Sequence, residues 1–284
     1  MASILNLSPL ATKIIVGATA VAVTAAAGYS VYEYATSDTE ETAETQTFTP
    51  FSQKIMVIIY DTHELSGFEG RYFDPYQLNY DYERLIERAS RYHGYKDSVA
   101  KPEVDIQFYK PSGSFFRVKE RMPLVYNKSY DKIVADYVGI FRRFGVCDLV
   151  RQGKVDEVWL WGDNHSGMWE STLVGPLSGS FVVNGGPVEM SECDTHVPVM
   201  GFNYQHSGDV DLHTFGHRME FTIAYKLDYA TPYDLRPNDT WYEFIGLEFD
   251  DSYAGGYGKV TKNLGHCGNV HRSPTCPVGW PDEY

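Results

Sequence analysis

The first ordered pattern in the chain is Lys54–Tyr60, KIMVIIY, a continuous apolar run rich in β-branched residues. Such a run predicts a strand covered on both faces, as in a parallel sheet. Leu78–Tyr92 changes to helical spacing, with Leu78, Tyr82, Leu85, Ile86 and Ala89 on one face and Gly94 as the stop. Glu103–Tyr109 alternates through Val104, Ile106 and Phe108 and predicts a second strand. Asp131 is placed at the start of a helix carrying Ile133, Val134, Tyr137, Val138, Phe141 and Phe144 on one face and finished by Gly153. Val155–Trp161 reads as a third strand ending in Gly162-Asp163, Ser180–Asn184 as a short strand, and Val197–Tyr204 as a further one. Asp209 then caps a helix that runs to about Leu227. Beyond Pro232 the chain is rich in Gly, Tyr, Asn and Asp, which predicts loops wrapping the domain. Strands alternating with helices indicate an α/β fold, a mostly parallel sheet flanked by helices with a loop-rich C-terminal segment.

The N-terminal region has a different character. Ile14–Tyr32 carries no charge, follows Lys13 and precedes Glu33. It is just long enough to cross a bilayer, and Ala25-Ala26-Ala27 also offers a small-residue cleavage site. Residues 1–35 are therefore read as a signal peptide or a membrane anchor, and both stay open. Residues 36–50, with Asp38, Glu40, Glu41 and Glu44 and no apolar periodicity, read as an acidic flexible linker. Residues 51–284 then form a single α/β ectodomain. An extracellular or cell-surface location follows, with membrane contact through residues 14–32 if the segment is not cleaved. Four cysteines fit an oxidising compartment. Of three pairings, the one that joins Cys267 locally to Cys276 leaves Cys147 with Cys193.

Charge narrows the partners. A formal net charge of −14 argues against nucleic acid and against electrostatic docking on anionic lipid. The 22 Tyr, 15 Phe and 5 Trp suit either sugar and protein recognition or a Tyr-rich core and loops, the latter being the plainer reading.

Chemistry is sought beyond the carboxyl ends of the strands, where open parallel sheets bind ligands. Asp61, His63 and Glu64 follow the first strand, Asp163, His165 and Glu170 follow VWLW, and His206 follows the VMGFNY strand. In the next helix His213-Thr-Phe-Gly-His217-Arg-Met-Glu220 sets His213, His217 and Glu220 at i, i+4 and i+7 on one face. Two imidazoles one turn apart can grip a divalent metal, zinc first among them, although Thr214 stands where the zincin pattern has its glutamate. The competing reading is a pair of histidines with structural hydrogen bonds, flanking a buried stripe of Leu212, Phe215, Met219 and Ile223. Asp61 and Asp163 are read as catalytic carboxylates or as strand-ending turn residues. Glu170, beside Trp169, is read as a general acid or base. The segment from His266 to Cys276 reads as a disulfide loop presenting His271, a further metal ligand. No phosphate-binding glycine loop, dinucleotide fingerprint or nucleophile elbow occurs.

Taken in order, DEVWLWG, Glu170-Ser171, VMGFNY, FGHRME and CGNVH resemble the blocks of a family of uncharacterised secreted proteins of bacteria and fungi with no established activity. The resemblance spans about Val155 to Pro274. It implies export and directs attention to Glu170, Asn203, His217, Arg218, Glu220 and His271. Gln205-His206 and Asp211 depart from the family's blocks.

Together these readings lead to an exported hydrolase, with catalytic Glu170, Asp163 and Asp61 and a metal held by His213, His217, Glu220 and His271, acting on extracellular peptide or carbohydrate. The alternative is a non-catalytic surface, adhesion or filament-forming protein.

Overall fold

The structure is a computed structural model that describes residues 51–91, 104–176, 184–226, 247–249 and 260–263. The elements along it are β1 (Phe51–Tyr60), α1 (Pro75–Arg91), β2 (Val104–Phe108), β3 (Phe116–Val118), β4 (Leu124–Asn127), β5 (Lys132–Ala135), α2 (Tyr137–Phe144) and α3 (Val146–Arg151). They continue with β6 (Glu157–Gly162), β7 (Ser171–Gly175), β8 (Val188–Glu189), β9 (Val197–Asn203), α4 (Gly208–Lys226), β10 (Leu247–Phe249) and β11 (Val260–Asn263). The chain divides into two compact units, Gln53–Tyr82 with Ile106–Tyr284 in the larger one, and Glu83–Asp105 within the smaller. In the smaller unit the Val104 amide donates to Ser90 Oγ at 3.0 Å. Most of the sheet, and all of the site described below, lie in the larger unit.

The main sheet has seven strands in the order β2-β1-β6-β9-β7-β8, with β3 paired to β1 beside that path. β1, β6 and β9 run parallel, with Ile58 opposite Leu160 and Leu160 opposite Gly201. β3 is parallel to β1, and β7 runs antiparallel to β9. This is the mostly parallel, helix-flanked α/β architecture that the alternating apolar runs indicate.

The reason for continuous apolar runs is visible in β6. Val158 and Leu160 join a cluster with Met56, Ile58, Tyr137, Ile140 and Phe141 on the α2 side. Trp159 and Trp161 point the other way, to Phe202 and to Tyr82 of α1, and Trp159 also meets Phe215 of α4, with ring centroids 4.9–6.4 Å apart. With helices on both faces, every position of the strand is buried. Among the described residues, Tyr82, Trp159, Trp161 and Phe202 therefore belong to the core.

One element differs in kind. Lys132–Ala135 is a strand, not the opening of a helix: it pairs antiparallel with β4, Val125 opposite Val134. The helix begins at Tyr137, where the Asp136 carboxylate caps the Gly139 amide at 2.9 Å. Ile133 and Val134 are β-branched and favour the strand, while the cap that decides the start is Asp136, five residues after Asp131. Gly145, at φ +62°, ends α2, and α3 follows. The strand β7 was not read from the sequence at all, because its five residues STLVG are short and carry no alternation. Within the C-terminal tail, expected to be loops, β10 and β11 form an antiparallel pair. The short strand expected at Ser180–Asn184 falls almost wholly outside the described residues.

Cys147 in α3 and Cys193 before β9 form a disulfide, with Cα atoms 4.9 Å apart. Cys267 and Cys276 lie outside the described residues, as does the apolar segment 14–32. Among the described residues no helix is long and apolar enough to cross a membrane.

Candidate metal centre

The carboxyl ends of β1, β6 and β9 share one edge of the sheet, and antiparallel β7 starts at that same edge. Glu170, immediately before β7, and the first turns of α4, soon after β9, are thereby brought together. The loop joining β6 to β7 is built to hold Glu170. Asp163 Oδ1 accepts from the His165 amide at 2.9 Å and from Ser166 Oγ at 3.1 Å, closing a tight turn. Gly167, at φ +59°, lets the chain pass against the backbone of Val134 and Ala135, where a Cβ would approach Val134 Cα to 3.1 Å. The Tyr137 hydroxyl accepts from the Trp169 amide at 2.7 Å, and the Glu170 carbonyl accepts from the Gly201 amide at 2.9 Å. The second contact needs glycine: a Cβ on residue 201 would stand 2.2 Å from the Trp169 carbonyl oxygen. The Asn184 carboxamide donates to the Glu170 carboxylate.

α4 is anchored at its start by Asp211, which accepts from the Tyr82 hydroxyl at 2.8 Å and from the Asn203 amide at 3.4 Å. The most buried face of this helix is polar. Asp211, Thr214, His217 and Glu220 are buried, whereas Leu212, Phe215, Met219 and Ile223 are only half-buried. The expected apolar stripe with histidines at its flank is therefore reversed. Arg218 reaches the buried Glu157 carboxylate at the opposite end of β6, which also accepts from Trp159 Nε1 at 2.8 Å and Gln53 Nε2 at 2.6 Å.

Glu170, His213 and His217 converge, each offering a ligand atom within 4.8 Å of the others. His217 Nε2 lies 3.7 Å from Glu170 Oε2, and His213 Nε2 lies 3.9 Å from Glu170 Oε1. Ligands of a tetrahedral zinc are roughly 3.3 Å apart, given bond lengths of about 2.05 Å, so small side-chain rotations bring this set to bonding geometry. Burial, followed by the nearby His217, holds the His213 imidazole below its ordinary pKa, which favours the neutral, ligating form at neutral pH. Two histidines and one carboxylate fit a borderline-soft divalent cation such as zinc.

Glu220 does not join that group. Its Oε2 lies 3.3 Å from His217 Nδ1, on the far side of the ring from Glu170. Asp163 lines the same cleft, but its carboxylate is occupied: Oδ2 accepts from Thr62 Oγ1 at 2.6 Å, while Oδ1 serves the turn. Asp61 belongs to a different cluster, with His63 Nδ1 at 2.5 Å, the Arg117 guanidinium and the Tyr72 hydroxyl around it. His271 lies outside the described residues. A cleft of about 320 Å³ opens in front of the group, with Asn164, Trp169, Asn203, His206 and Asp211 among its walls. Of these, His206 is already marked by the sequence as a polar residue beyond a strand end, whereas Asp211 is not. Their signal was positional, since both follow β9 at the ligand-bearing edge.

Comparison with known proteins found no matching family model, no matching curated protein and no matching solved structure.

Asp61 and Asp163 carry a pH consequence. Burial alone would raise both carboxyls, but donors from His63 and Arg117 in one case, and from Thr62, His165 and Ser166 in the other, outweigh it and hold both below the ordinary 3.8. A depressed folded-state pKa contributes stability that is complete above the unfolded value and is lost as pH falls through the folded one. The urea midpoint is therefore expected to be insensitive to these two groups above about pH 5 and to fall below about pH 4. In Asp61→Asn the slope between about pH 4 and pH 2 should flatten; an unchanged slope would show that Asp61 is not a source of acid lability.

Proposed function

We propose that this protein is an exported, metal-dependent hydrolase acting on an extracellular peptide or carbohydrate. The observation that carries the reading is the convergence of Glu170, His213 and His217 at the ligand-binding edge of the sheet, facing an open cleft. Those three residues would hold the cation, zinc by preference, in the two-histidine, one-carboxylate set that leaves coordination open to solvent. When bound, such an ion lowers the pKa of a coordinated water toward neutrality and polarises a scissile carbonyl or acetal.

The chain's own groups supply the rest. Glu170, with its side chain 41 % exposed, faces both the cleft and the histidines. His206 is exposed at the rim and can move a proton to the leaving group. The Asn164 and Asn203 side chains at the wall can orient a substrate amide or hydroxyl. Asp163 and Asp61 hold the edge together instead of transferring protons, because every carboxylate oxygen on them already accepts from a neighbour. The disulfide supports export, and residues 14–32 would deliver the domain to that compartment.

A second reading, a non-catalytic binding module, is favoured by the β4–β5 pair. Leu124, Val125, Tyr126 and Ile133 are 46–62 % exposed there, a patch suited to a partner.

The test is elemental analysis of the purified full chain, followed by hydrolysis assays on peptide and oligosaccharide panels with and without chelator. Near-stoichiometric zinc with chelator-sensitive turnover of one panel is expected. A metal-free, folded protein inert on both panels would move the assignment to the binding module.

A further inference from the structure

Glu220 has no part in the three-ligand group, yet it is a carboxylate buried beside a buried imidazole. Its side chain is 9 % exposed and that of His217 is 4 % exposed, against 17 % for His213. Placing a carboxylate in such a position is costly unless a donor faces it. His217 Nδ1 lies 3.3 Å from Glu220 Oε2 without an aligned hydrogen bond between them, and a small rotation of either side chain makes it that donor when it carries the ring proton. Nε2 is then left with its lone pair directed to the Glu170 side, where the other ligand atoms gather. The four-residue stretch His217-Arg-Met-Glu220 produces this contact within one helical turn, since i and i+3 share a face.

We propose that Glu220 is a positioning residue: it fixes His217 in the Nδ1–H tautomer and so makes Nε2 the anchor ligand of the cation, with His213 the more open and more readily displaced one. The inference rests on the metal reading of the preceding section and assigns the division of labour inside it. A carboxylate behind a ligating imidazole raises its basicity and locks its orientation, and losing such a partner typically weakens metal affinity 10–100-fold.

Two readouts on the full chain separate the inference from the reading beneath it. In the metal-free protein labelled with 15N-histidine, two-bond 1H–15N correlations report the tautomer of each neutral ring. His217 is expected as Nδ1–H, and Glu220→Leu, which cannot accept a hydrogen bond, should move it toward Nε2–H. Competition with a chromophoric chelator then measures zinc affinity, where Glu220→Gln should bind about 10–100-fold more weakly than the wild type. Thermal melts of the metal-free variants check that they are folded. A wild-type His217 in the Nε2–H form overturns the proposal without needing any variant. So does a folded Glu220→Gln that binds zinc within twofold of wild type, the result a purely structural Glu220 would give. An Nδ1–H wild type that takes up no zinc sinks the metal reading while upholding the orienting contact.

Discussion

Replacing His217 by alanine is expected to abolish stoichiometric zinc binding and to lower the melting temperature of the zinc-loaded protein by more than that of the metal-free one. The group has only three described ligands, Glu170, His213 and His217. Removing the most buried one leaves two, which are too few to hold the ion at ordinary concentrations. Two destabilising effects then add. The Glu220 carboxylate loses the imidazole 3.3 Å away, and loss of one polar contact to a buried charged group costs about 1–3 kcal/mol. The metal's contribution also disappears, about 2.7 kcal/mol when free zinc is 100 times its dissociation constant. Elemental analysis and paired melts with and without chelator measure the two parts. Zinc retained at wild-type stoichiometry, or a wild-type melting point indifferent to chelator, would remove the cation from this site.

Arg218→Ala should produce a loss of stability of similar size with no direct effect on the metal group. The Glu157 carboxylate is 1 % exposed and lies under the sheet's other end, paired with the Arg218 guanidinium, which is itself 25 % exposed. Breaking such a pair on one side strands a charge, at a cost of about 3–5 kcal/mol, and the partial exposure of Arg218 sets the expectation near the lower figure. For a chain of this size that is roughly a 10 °C fall in melting temperature. Glu157→Gln in the same background should recover part of the loss, because the stranded charge is gone while the carboxamide oxygen still accepts from Trp159, and Gln53 can turn its own carboxamide to accept from the new NH2. If zinc affinity fell along with stability while the fold held, Arg218 would have a role at the metal that its place beside Glu157 does not explain.

These two neighbours in the chain, His217 and Arg218, show where reading a sequence reaches and where it stops. The helical spacing correctly put His213 and His217 one turn apart. It also predicted that Leu212, Phe215, Met219 and Ile223 would be the buried side, because apolar residues usually are. The observed helix buries Asp211, Thr214, His217 and Glu220 more deeply: Asp211 accepts from Tyr82, and His217 lies between Glu170 and Glu220. Partners such as Tyr82 for Asp211 and Glu157 for Arg218 are 129 and 61 residues away along the chain, beyond any local pattern.

The sequence alone determined the mostly parallel α/β core, because KIMVIIY, VDEVWLW and VPVMGFNY are continuous apolar runs that only a sheet covered on both faces can bury. It also pointed to the carboxyl ends of those strands as the edge to search for chemistry, whereas of three cysteine pairings it left Cys147 with Cys193 only as the remainder of a local Cys267–Cys276 pair, and the structure shows that bridge. Tertiary structure alone decided which carboxylate lies beside the two histidines. Asp61 and Asp163 occupy the sites that strand-end logic favours, yet surrounding donors claim their oxygens. Glu170 reaches the two histidines because β7 runs antiparallel to its neighbour and starts where the parallel strands finish. The direction of β7 is set by pairing with β9, a long-range choice that the five residues of that strand do not encode.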